Sequence, residues 1–307
     1  MRLFYCDHHV FPLPAGHKFP ATKHRLLREK LEADGIFGFE PARQAAAEVI
    51  QLAHDPDYVR RFIDGRLDPV MMRRIGFPWS PELLARALAS LGGTLAAAED
   101  ALQAGFGGNL AGGTHHAFRA SGAGFCVFND IAVAITALRH AGRIRWAAVI
   151  DLDVHQGDGT AAIFRDEPSV LTISIHGRNN FPFRKQQSTV DLDLPDGAGD
   201  VEYLAALESV LPRVLQFAPE IVFYQAGVDA LAGDRLGRLA LSHNGLRERD
   251  RLVFQACRAL EVPVVVTLGG GYAEPITRTV NAHANTFRTA AEVLCDVPVR
   301  MQPCGES

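Results

Sequence analysis

The chain has 307 residues, of which 48% are hydrophobic and 21% charged, and its formal net charge is -4. This composition is typical of a globular protein and excludes the collagen-like, disordered and disulfide-scaffold classes. There is no basic run that could neutralise several phosphates and no apolar run of about 18 residues, so we expect neither nucleic-acid binding nor a membrane span. The start, MRLFYCDHHV, is unlike a signal peptide, and five scattered cysteines without a C-x-x-C pair indicate a reducing, cytoplasmic location.

No linker or repeat divides the chain, so we predict one domain over residues 1–307. Short apolar runs alternate with helical patterns, which is typical of an α/β fold with buried parallel strands. The predicted strands are residues 3–6, 146–154, 170–176, 220–225 and 262–268. The predicted helices end near residues 104, 141, 217 and 260, and their N-terminal caps are Ser80, Asn129, Asp200 and Ser242.

The predicted strands are apolar until their carboxyl ends, where polar or glycine residues follow. The segments read VIDLDVHQGDG, LTISIHG, VFYQAGVDALAGD and VVTLGGGY. In open parallel sheets ligands bind at the carboxyl edge. We therefore predict a site at this edge, built from Asp151, Asp153, His155, Asp158, Asp229 and Tyr272.

Asp151, Asp153 and His155 alternate along a segment predicted to be extended, so their side chains would face the same side. Buried carboxylates repel each other unless a cation neutralises them. Imidazole with carboxylate suits zinc or a similar transition metal, and Asp229 from another strand is the natural third ligand. The alternative is that these aspartates are helix caps and ion-pair partners at strand ends.

His115 and His116 lie between two glycine-rich turns. Imidazoles oriented by carboxylates are suited to general acid/base catalysis near pH 7, and Asp151 and Asp158 are the available partners. An adjacent histidine pair alone is weak evidence, because His8-His9 is another such pair in the same chain.

Tyr272 follows three glycines at the end of a predicted strand, where its phenol could donate a hydrogen bond to a developing oxyanion. The segment matches neither nucleotide-binding glycine pattern. A half-buried tyrosine with a solvated hydroxyl is the alternative. Phe125 and Phe181 lie in loops near these motifs and could line a narrow apolar channel or pack locally.

Five segments together resemble the zinc-dependent histone deacetylases, a family of the arginase/deacetylase superfamily, and occur in that family's order. They are GTHHAFRASGAGFCVFND, VIDLDVHQGDGT, LTISIHG, YQAGVDALAGD and LGGGY. The resemblance implies a single α/β domain with an eight-stranded parallel sheet flanked by helices.

The resemblance also implies roles for the residues of the predicted site. The implied zinc ligands are Asp153, His155 and Asp229, and the implied catalytic groups are the dyad of His115 and His116, its partners Asp151 and Asp158, and the carbonyl-activating Tyr272. The implied substrate contacts are the carbonyl of Gly124 and the tunnel walls Phe125 and Phe181. The family also binds potassium near the zinc, with implied ligands Asp151, Asp153, His155, Ser174 and Ile175 and a second site near Phe164, Glu167 and Val170.

Three features depart from the common pattern of the family. Gln156 stands where many members have a second histidine, the glycine run has three residues rather than the four common in class I, and the loop at residues 178–197 is short. These features look more like class IV and bacterial members, and they leave the natural substrate open.

The sequence therefore predicts a zinc-dependent deacetylase that hydrolyses acyl-lysine, such as acetyl-lysine in a peptide, or a related small acylated amine. One alternative is an arginase-like ureohydrolase with two manganese ions. Others are an acetylpolyamine or small-amide deacetylase and a catalytically inactive module that binds acyl-lysine. The oligomeric state does not follow from the sequence.

Overall fold

The structure, a computed structural model, describes residues 1–297 and contains one eight-stranded sheet in which all paired strands are parallel. The fold predicted from the resemblance is thereby confirmed. The strands are β1 Arg2–Tyr5, β2 Gly38–Pro41, β3 Phe106–Asn109, β4 Ala147–Asp151, β5 Val170–Gly177, β6 Val190–Leu194, β7 Ile221–Gln225 and β8 Val264–Thr267. Their order across the sheet is β2-β1-β3-β8-β7-β4-β5-β6.

Helices cover both faces of the sheet. Within residues 1–297 they are α1 Lys23–Glu32, α2 Ala47–Ile50, α3 Pro56–Ile63, α4 Pro69–Ile75, α5 Pro81–Ala104, α6 Asp130–His140, α7 Asp158–Ile163, α8 Asp200–Phe217, α9 His243–Ala259 and α10 Ile276–Cys295. Helices α1, α8, α9 and α10 pack on one face, and α2 to α6 pack on the other. No helix of this part of the chain is both long and apolar enough to cross a membrane.

The interior strand β4 shows why buried parallel strands are continuous apolar runs in the sequence. Ile150 belongs to the core on the α8–α10 face, whereas its neighbour Val149 belongs to the core on the α5–α6 face. Both side chains are buried, and burying a side chain of this size contributes about 1.5–3 kcal/mol. Consecutive residues of β4 thus stabilise the helix layers on both faces of the sheet, and the two cores fix the position of the strand's carboxyl end.

Three of the four predicted caps are confirmed. The side chains of Ser80, Asn129 and Ser242 accept hydrogen bonds from backbone N–H groups in the first turns of α5, α6 and α9. The prediction for Asp200 is wrong, because the cap position of α8 is Gly199. The Asp200 carboxylate instead accepts the backbone N–H and the hydroxyl of Ser242, so it joins the starts of α8 and α9.

The strand predicted over residues 146–154 is too long. Strand β4 ends at Asp151, at the level where its neighbour β7 ends at Gln225. The Leu152 N–H still donates to the Gln225 carbonyl and the Val154 carbonyl still accepts the Gly177 N–H, but the chain bends from Asp153 onward. Asp153 and His155 therefore lie in the bends after the strand. Their side chains meet through this turn rather than through the alternation of an extended strand.

Strands β2, β3 and β6 and helices α1 to α4, α7 and α10 are not predicted from the sequence. Strand β3 reads FGGN, and its glycines have a packing role: a Cβ on Gly107 would lie 1.7 Å from the carbonyl oxygen of Ala97 in α5. Strand β6 lies at the sheet edge inside the segment 178–197, which was expected to be a loop. Cys6, Cys126, Cys257 and Cys295 form no disulfide, and Cys304 lies outside the described residues.

Candidate active site

The histidine pair lies in the loop of residues 110–129, which two groups fix to the scaffold. The Asp130 carboxylate at the start of α6 accepts the N–H groups of Gly113 at 3.0 Å and Thr114 at 2.7 Å. From the end of β7, the Gln225 side-chain amide donates to the Gly113 carbonyl at 2.8 Å. Gly113 has φ +74°, and a Cβ there would lie 2.5 Å from Gln225 Oε1. The loop is therefore held tightly against the sheet.

The structure places each histidine of the pair beside one of the two aspartates, Asp151 and Asp158, that were predicted as partners. His115 Nδ1 lies 2.7 Å from Asp151 Oδ2, and His116 Nδ1 lies 2.7 Å from Asp158 Oδ1. The two imidazole centroids are 4.1 Å apart, and both rings line one cavity. Because each Nδ1 is engaged by a carboxylate, Nε2 is the ring atom left to act on a ligand.

The environments of the two histidines shift their pKa values in opposite directions. Burial lowers the pKa of His115, but the charges of Asp151 and Asp153 outweigh it and raise the value to about 9. Burial and the neighbouring positive charge of His115 lower the pKa of His116 to about 4, against the opposing effect of Asp158. Two titratable groups driven apart in this way are suited to separate acid and base roles. At neutral pH His116 is the group able to accept a proton.

Asp153, His155 and Asp229 form the one group of metal-ligating side chains found among the described residues, with ligand atoms within 4.8 Å of one another. All three residues are buried. His155 Nδ1 lies 3.0 Å from Asp153 Oδ1 and 3.1 Å from Asp229 Oδ2. These three residues are the predicted ligands and could hold a metal ion; we call them the metal triad.

The surroundings of the triad fit a cation. Burial and the charge of Asp153 raise the pKa of Asp229 to about 6, as expected of two carboxylates in a low dielectric. Asp229 Oδ2 is buried and, within residues 1–297, has only the poorly aligned His155 nitrogen at 3.1 Å beside it and accepts no hydrogen bond of good geometry. The other oxygen of Asp229 accepts the N–H of Val154 at 2.9 Å, which orients the carboxylate. A mixed set of one imidazole and two carboxylates matches a catalytic zinc site that keeps an open position.

The glycine run after β8 passes directly over the triad. The Gly270 N–H donates to Asp153 Oδ2 at 2.7 Å, and a Cβ on Gly270 would lie 1.8 Å from Asp229 Oδ2. Tyr272 follows, with its N–H bound to Asp234 Oδ2 at 2.6 Å and its ring lining the cavity. Burial raises the pKa of the Tyr272 phenol well above its usual value. The phenol is thus protonated at neutral pH and available as a donor.

A cavity of about 700 Å³ connects these groups to the surface, a size within the ordinary range for ligand sites. Gly124, Phe125 and Phe181 are among its lining residues, and their roles toward a substrate stay predictions. Gly124 and Phe125 have φ of +55° and +68°, and a Cβ on Gly124 would lie 2.7 Å from His116 Cδ2. Phe181 stands edge-on to the His116 ring at 4.8 Å between centroids. The loop therefore passes against the histidine pair with no room for a side chain at residue 124.

Four exposed cations line the mouth of this cavity: Lys18, Arg74, Arg235 and Arg238. Arg235 and Arg238 form surface ion pairs with acidic residues outside the cavity. In the described part of the chain Lys18 and Arg74 form none. Asp153 of the metal triad is the acidic side chain among the cavity-lining residues. The mouth is therefore electropositive.

The predicted potassium ligands lie next to the dyad, where Asp151 in β4 pairs with Ser174 in β5. Ile175 follows in the same strand. For the second site, Phe164 and Glu167 lie between the end of α7 and the start of β5, and Val170 is the first residue of β5. Both potassium sites stay predictions.

Gln156 is directed away from the metal triad. Its side-chain amide donates to the Gln186 carbonyl and to Asp191 Oδ1, each at 2.7 Å, and its Oε1 accepts the Gln186 N–H at 2.8 Å. The residue that departs from the family pattern thus fixes the segment before β6. The triad gains no fourth ligand from it.

Three supporting residues were missed in the sequence: Asp130, Gln225 and Asp234. Asp130 ends the motif FND, and Asp234 ends the motif LAGD. An acidic residue near a glycine-rich loop could therefore have indicated that its carboxylate binds backbone N–H groups of that loop. Asp234 also accepts the N–H groups of Leu236 and Gly237, at 2.8 and 3.0 Å. Because it binds the N–H of Tyr272 as well, it connects the segment at the cavity mouth to the segment that carries Tyr272. Gln225 offers no comparable pattern, because its partner Gly113 is distant in the chain.

Comparison with known proteins gives a consistent result. The family model described as histone deacetylase domain matches residues 17–287. An uncharacterized protein of Picosynechococcus sp. is 45% identical over 293 residues, which cover 94% of this chain and 98% of that protein. Histone deacetylase 2 of Arabidopsis thaliana is 35% identical, with 62% of this chain and 50% of that protein covered. Histone deacetylase 1 of Homo sapiens is 30% identical, with 92% of this chain and 62% of that protein covered. The chain thus spans half to about two thirds of the two named deacetylases.

A solved structure shares the fold. The acetylpolyamine aminohydrolase of Burkholderia pseudomallei superposes with a TM-score of 0.78 over 95% of this chain and 99% of that one, at 22% identity. At this identity the likeness concerns the architecture alone.

Proposed function

Because this chain belongs to the histone deacetylase family, we propose that it is a zinc-dependent hydrolase of acyl-lysine or a related N-acyl amine. The observation that carries this proposal is the placement of two aspartate-bound histidines and a three-residue metal triad on one cavity. Amide hydrolysis needs a polarised carbonyl, an activated water and a proton for the leaving amine. The cavity offers a group for each.

Zinc is the metal we propose, held by Asp153, His155 and Asp229. Bound zinc supplies a Lewis acid for the amide carbonyl and lowers the pKa of a water to about 7. The donor set of one imidazole and two carboxylates, whose ligand atoms lie within 4.8 Å of one another, supports this assignment.

The remaining residues orient groups and move protons. His116, neutral at pH 7, accepts a proton from the attacking water at Nε2, and Asp158 holds the ring so that Nδ1 carries its hydrogen. A histidine of the dyad then protonates the departing amine, and the Asp151 carboxylate, 2.7 Å from His115 Nδ1, favours the protonated form of that ring. The Tyr272 phenol donates to the oxyanion that develops on the carbonyl oxygen.

The tunnel residues position the substrate. Phe125 and Phe181 enclose the alkyl chain of the acylated amine and exclude water from it, and the Gly124 carbonyl accepts the substrate amide N–H. In this arrangement the charged or peptidic end of the substrate stays at the mouth.

The charge of the mouth favours an acyl-lysine peptide over an acetylated polyamine. A polyamine keeps cationic nitrogens beside its acylated one, and these would face Lys18 and Arg74. Like charges in a partly enclosed mouth disfavour binding and slow encounter.

An arginase-like reaction would require a second metal ion. The described residues contain one group of ligands with suitable spacing, and Gln156 is bound to the segment before β6. Metal analysis separates the two proposals, since one zinc per chain supports deacylation and two manganese ions support the ureohydrolase. The inactive binding module is disfavoured because dyad, triad and phenol are all in place. We also propose potassium at Asp151, Ser174 and Ile175 as a structural ion.

The test is hydrolysis of a fluorogenic acetyl-lysine peptide by the zinc-loaded protein, with N-acetylspermidine as the competing substrate. We expect turnover of the peptide, loss of turnover on chelation and recovery with one equivalent of zinc. His8→Ala, in the other adjacent histidine pair, is the matched control for His116→Ala, because His8 is exposed and outside the cavity. Absence of turnover with every acyl-lysine peptide tried would overturn the proposal.

A further inference from the structure

Two buried cations lie at the inner end of the cavity and play no part in the proposed reaction. Lys23 begins α1 and is 2% exposed, and Arg86 in α5 is 9% exposed. We call the part of the cavity lined by Phe11, Lys23, Leu83, Arg86, Ser90 and Leu91 the inner chamber. Its walls are mainly apolar, and its charged groups are both positive.

Neither cation has a carboxylate partner in the described part of the chain. Lys23 Nζ donates to the Gly269 carbonyl at 2.9 Å, and Arg86 Nη1 donates to the Cys6 carbonyl at 2.7 Å. Other buried arginines are paired: Arg249 with Asp250 at 2.7 Å, and Arg288 with an aspartate at 2.8 Å. A buried unpaired charge is costly, so an anion in the chamber would be stabilised.

The chamber adjoins the reacting centre. Lys23 is bound to Gly269, and the next residue, Gly270, donates to the metal-triad Asp153 at 2.7 Å. Lys23 Nζ also lies 5.5 Å from the centre of the Tyr272 ring. The tunnel residues Phe125 and Phe181, the triad residue Asp153 and the chamber residues line the same cavity. In the proposed binding mode the alkyl chain lies between the two phenylalanines, and its acyl end is then directed toward this chamber.

We infer that the inner chamber is a carboxylate subsite, and that the enzyme accepts acyl groups ending in a free carboxylate, such as succinyl or glutaryl. This inference rests on the proposed function. The reaction cleaves the amide C–N bond with one water: the carbonyl carbon gains the water oxygen, and the amine leaves protonated. The products are the lysine ammonium and a dicarboxylate dianion, so the total charge of -1 is conserved.

The burial of Lys23 agrees with this arrangement. Desolvation lowers the pKa of its ammonium to about 8, against the raising effect of Asp229 and Asp153. A carboxylate beside it would raise that pKa again. Arg86 keeps its charge at any working pH.

The first test compares acyl groups on one peptide: acetyl, succinyl, glutaryl and 4-methylpentanoyl. The last has the shape of succinyl without its charge. We expect kcat/KM for succinyl or glutaryl to exceed that for 4-methylpentanoyl at least tenfold. Hydrolysis of acetyl-lysine without this preference overturns the inference and leaves the proposed function standing. No hydrolysis of any of the four refutes the proposed function itself.

The second test uses Arg86→Met, with Arg25→Met as control, since Arg25 is an exposed arginine of α1 outside the cavity. Arg86→Met should lower kcat/KM at least tenfold for the dicarboxylic acyl groups and less than threefold for acetyl. An equal loss on both would mean that the chamber serves only the released acid or catalysis in general, which contradicts the inference.

The third test does not depend on turnover. Succinate should bind the wild-type protein more tightly than acetate in calorimetric titrations and should raise its melting temperature. Arg86→Met should lose this difference, and Arg86→Lys, which keeps a charge and guards against misfolding of the methionine variant, should retain part of it. Equal binding of succinate and acetate by the wild-type protein would overturn the inference.

Discussion

Acid should destabilise this protein through His54, a buried histidine that anchors the loop carrying the dyad. His54 is 0% exposed. Its Nε2 accepts the backbone N–H of Asn129 at 2.9 Å, and its Nδ1 lies 3.2 Å from the carbonyl of Arg119. This pattern requires a neutral ring with its hydrogen on Nδ1. Protonation would place a second hydrogen against the Asn129 N–H, at the start of α6.

The size of the effect follows from the pKa of His54. Burial lowers it from 6.5 to about 4, so the unfolded chain binds the proton more readily than the folded one between these values. The stability linked to the neutral ring is complete above pH 6.5 and is lost as the pH falls toward 4. At pH 5 the loss amounts to about 2 kcal/mol, a substantial part of the usual 5–15 kcal/mol of a domain.

The assay is urea unfolding of wild type and His54→Gln at pH 7.5 and pH 5.0. Other buried histidines, such as His24 and His283, also have lowered pKa values, and the metal triad titrates as well. These contributions are present in both proteins and cancel in the difference. We expect wild type to lose about 2 kcal/mol more than His54→Gln on acidification. Equal losses would refute the assignment of a neutral buried ring.

Three further predictions concern the site. Asp229→Ala should lose metal and activity together, because two remaining ligands hold zinc weakly; one zinc per chain in that variant would contradict the ligand assignment. His116→Ala should keep its zinc but lose roughly 10² to 10⁴ in rate, the usual contribution of general acid/base catalysis, and a rate near that of His8→Ala would exclude the dyad role. Tyr272→Phe should lower kcat by roughly 10² to 10³ with little change in KM, the usual cost of one oxyanion donor. Its affinity for a hydroxamate should be kept, and a wild-type rate would make the phenol structural.

The sequence alone determined the carboxyl-edge site, and the reason is local. Each buried strand is an unbroken apolar run, and the residue type changes where the strand leaves the core. Asp151, Asp229 and Tyr272 were identified by this change. Tyr272 lines the cavity, and Asp151 and Asp229 lie directly behind it, against the lining residues His115 and His155. Caps such as Ser80 and Asn129 were also readable, because a cap and its helix are neighbours in the chain.

Other features depended on partners that are distant in the chain. The FGGN sequence of β3 is typical of a loop, and it forms a strand because α5 packs closely on its glycines. Asp200 has the residue type of a helix cap, but in the structure it accepts a hydrogen bond from Ser242 at the start of α9. Strands β4 and β7 end at the same level, at Asp151 and Gln225, which the residues of β4 alone did not predict.

The tertiary structure alone decided which charges are compensated. In the sequence, Lys23 and Arg86 are not distinguished from Arg249, Arg288 or any other cation. Folding buries all four, but it supplies an aspartate only to Arg249 and Arg288. Whether a buried charge meets a carboxylate or an open cavity depends on how helices distant in the chain pack. That is the physical reason why the inner chamber could not be read from local sequence patterns.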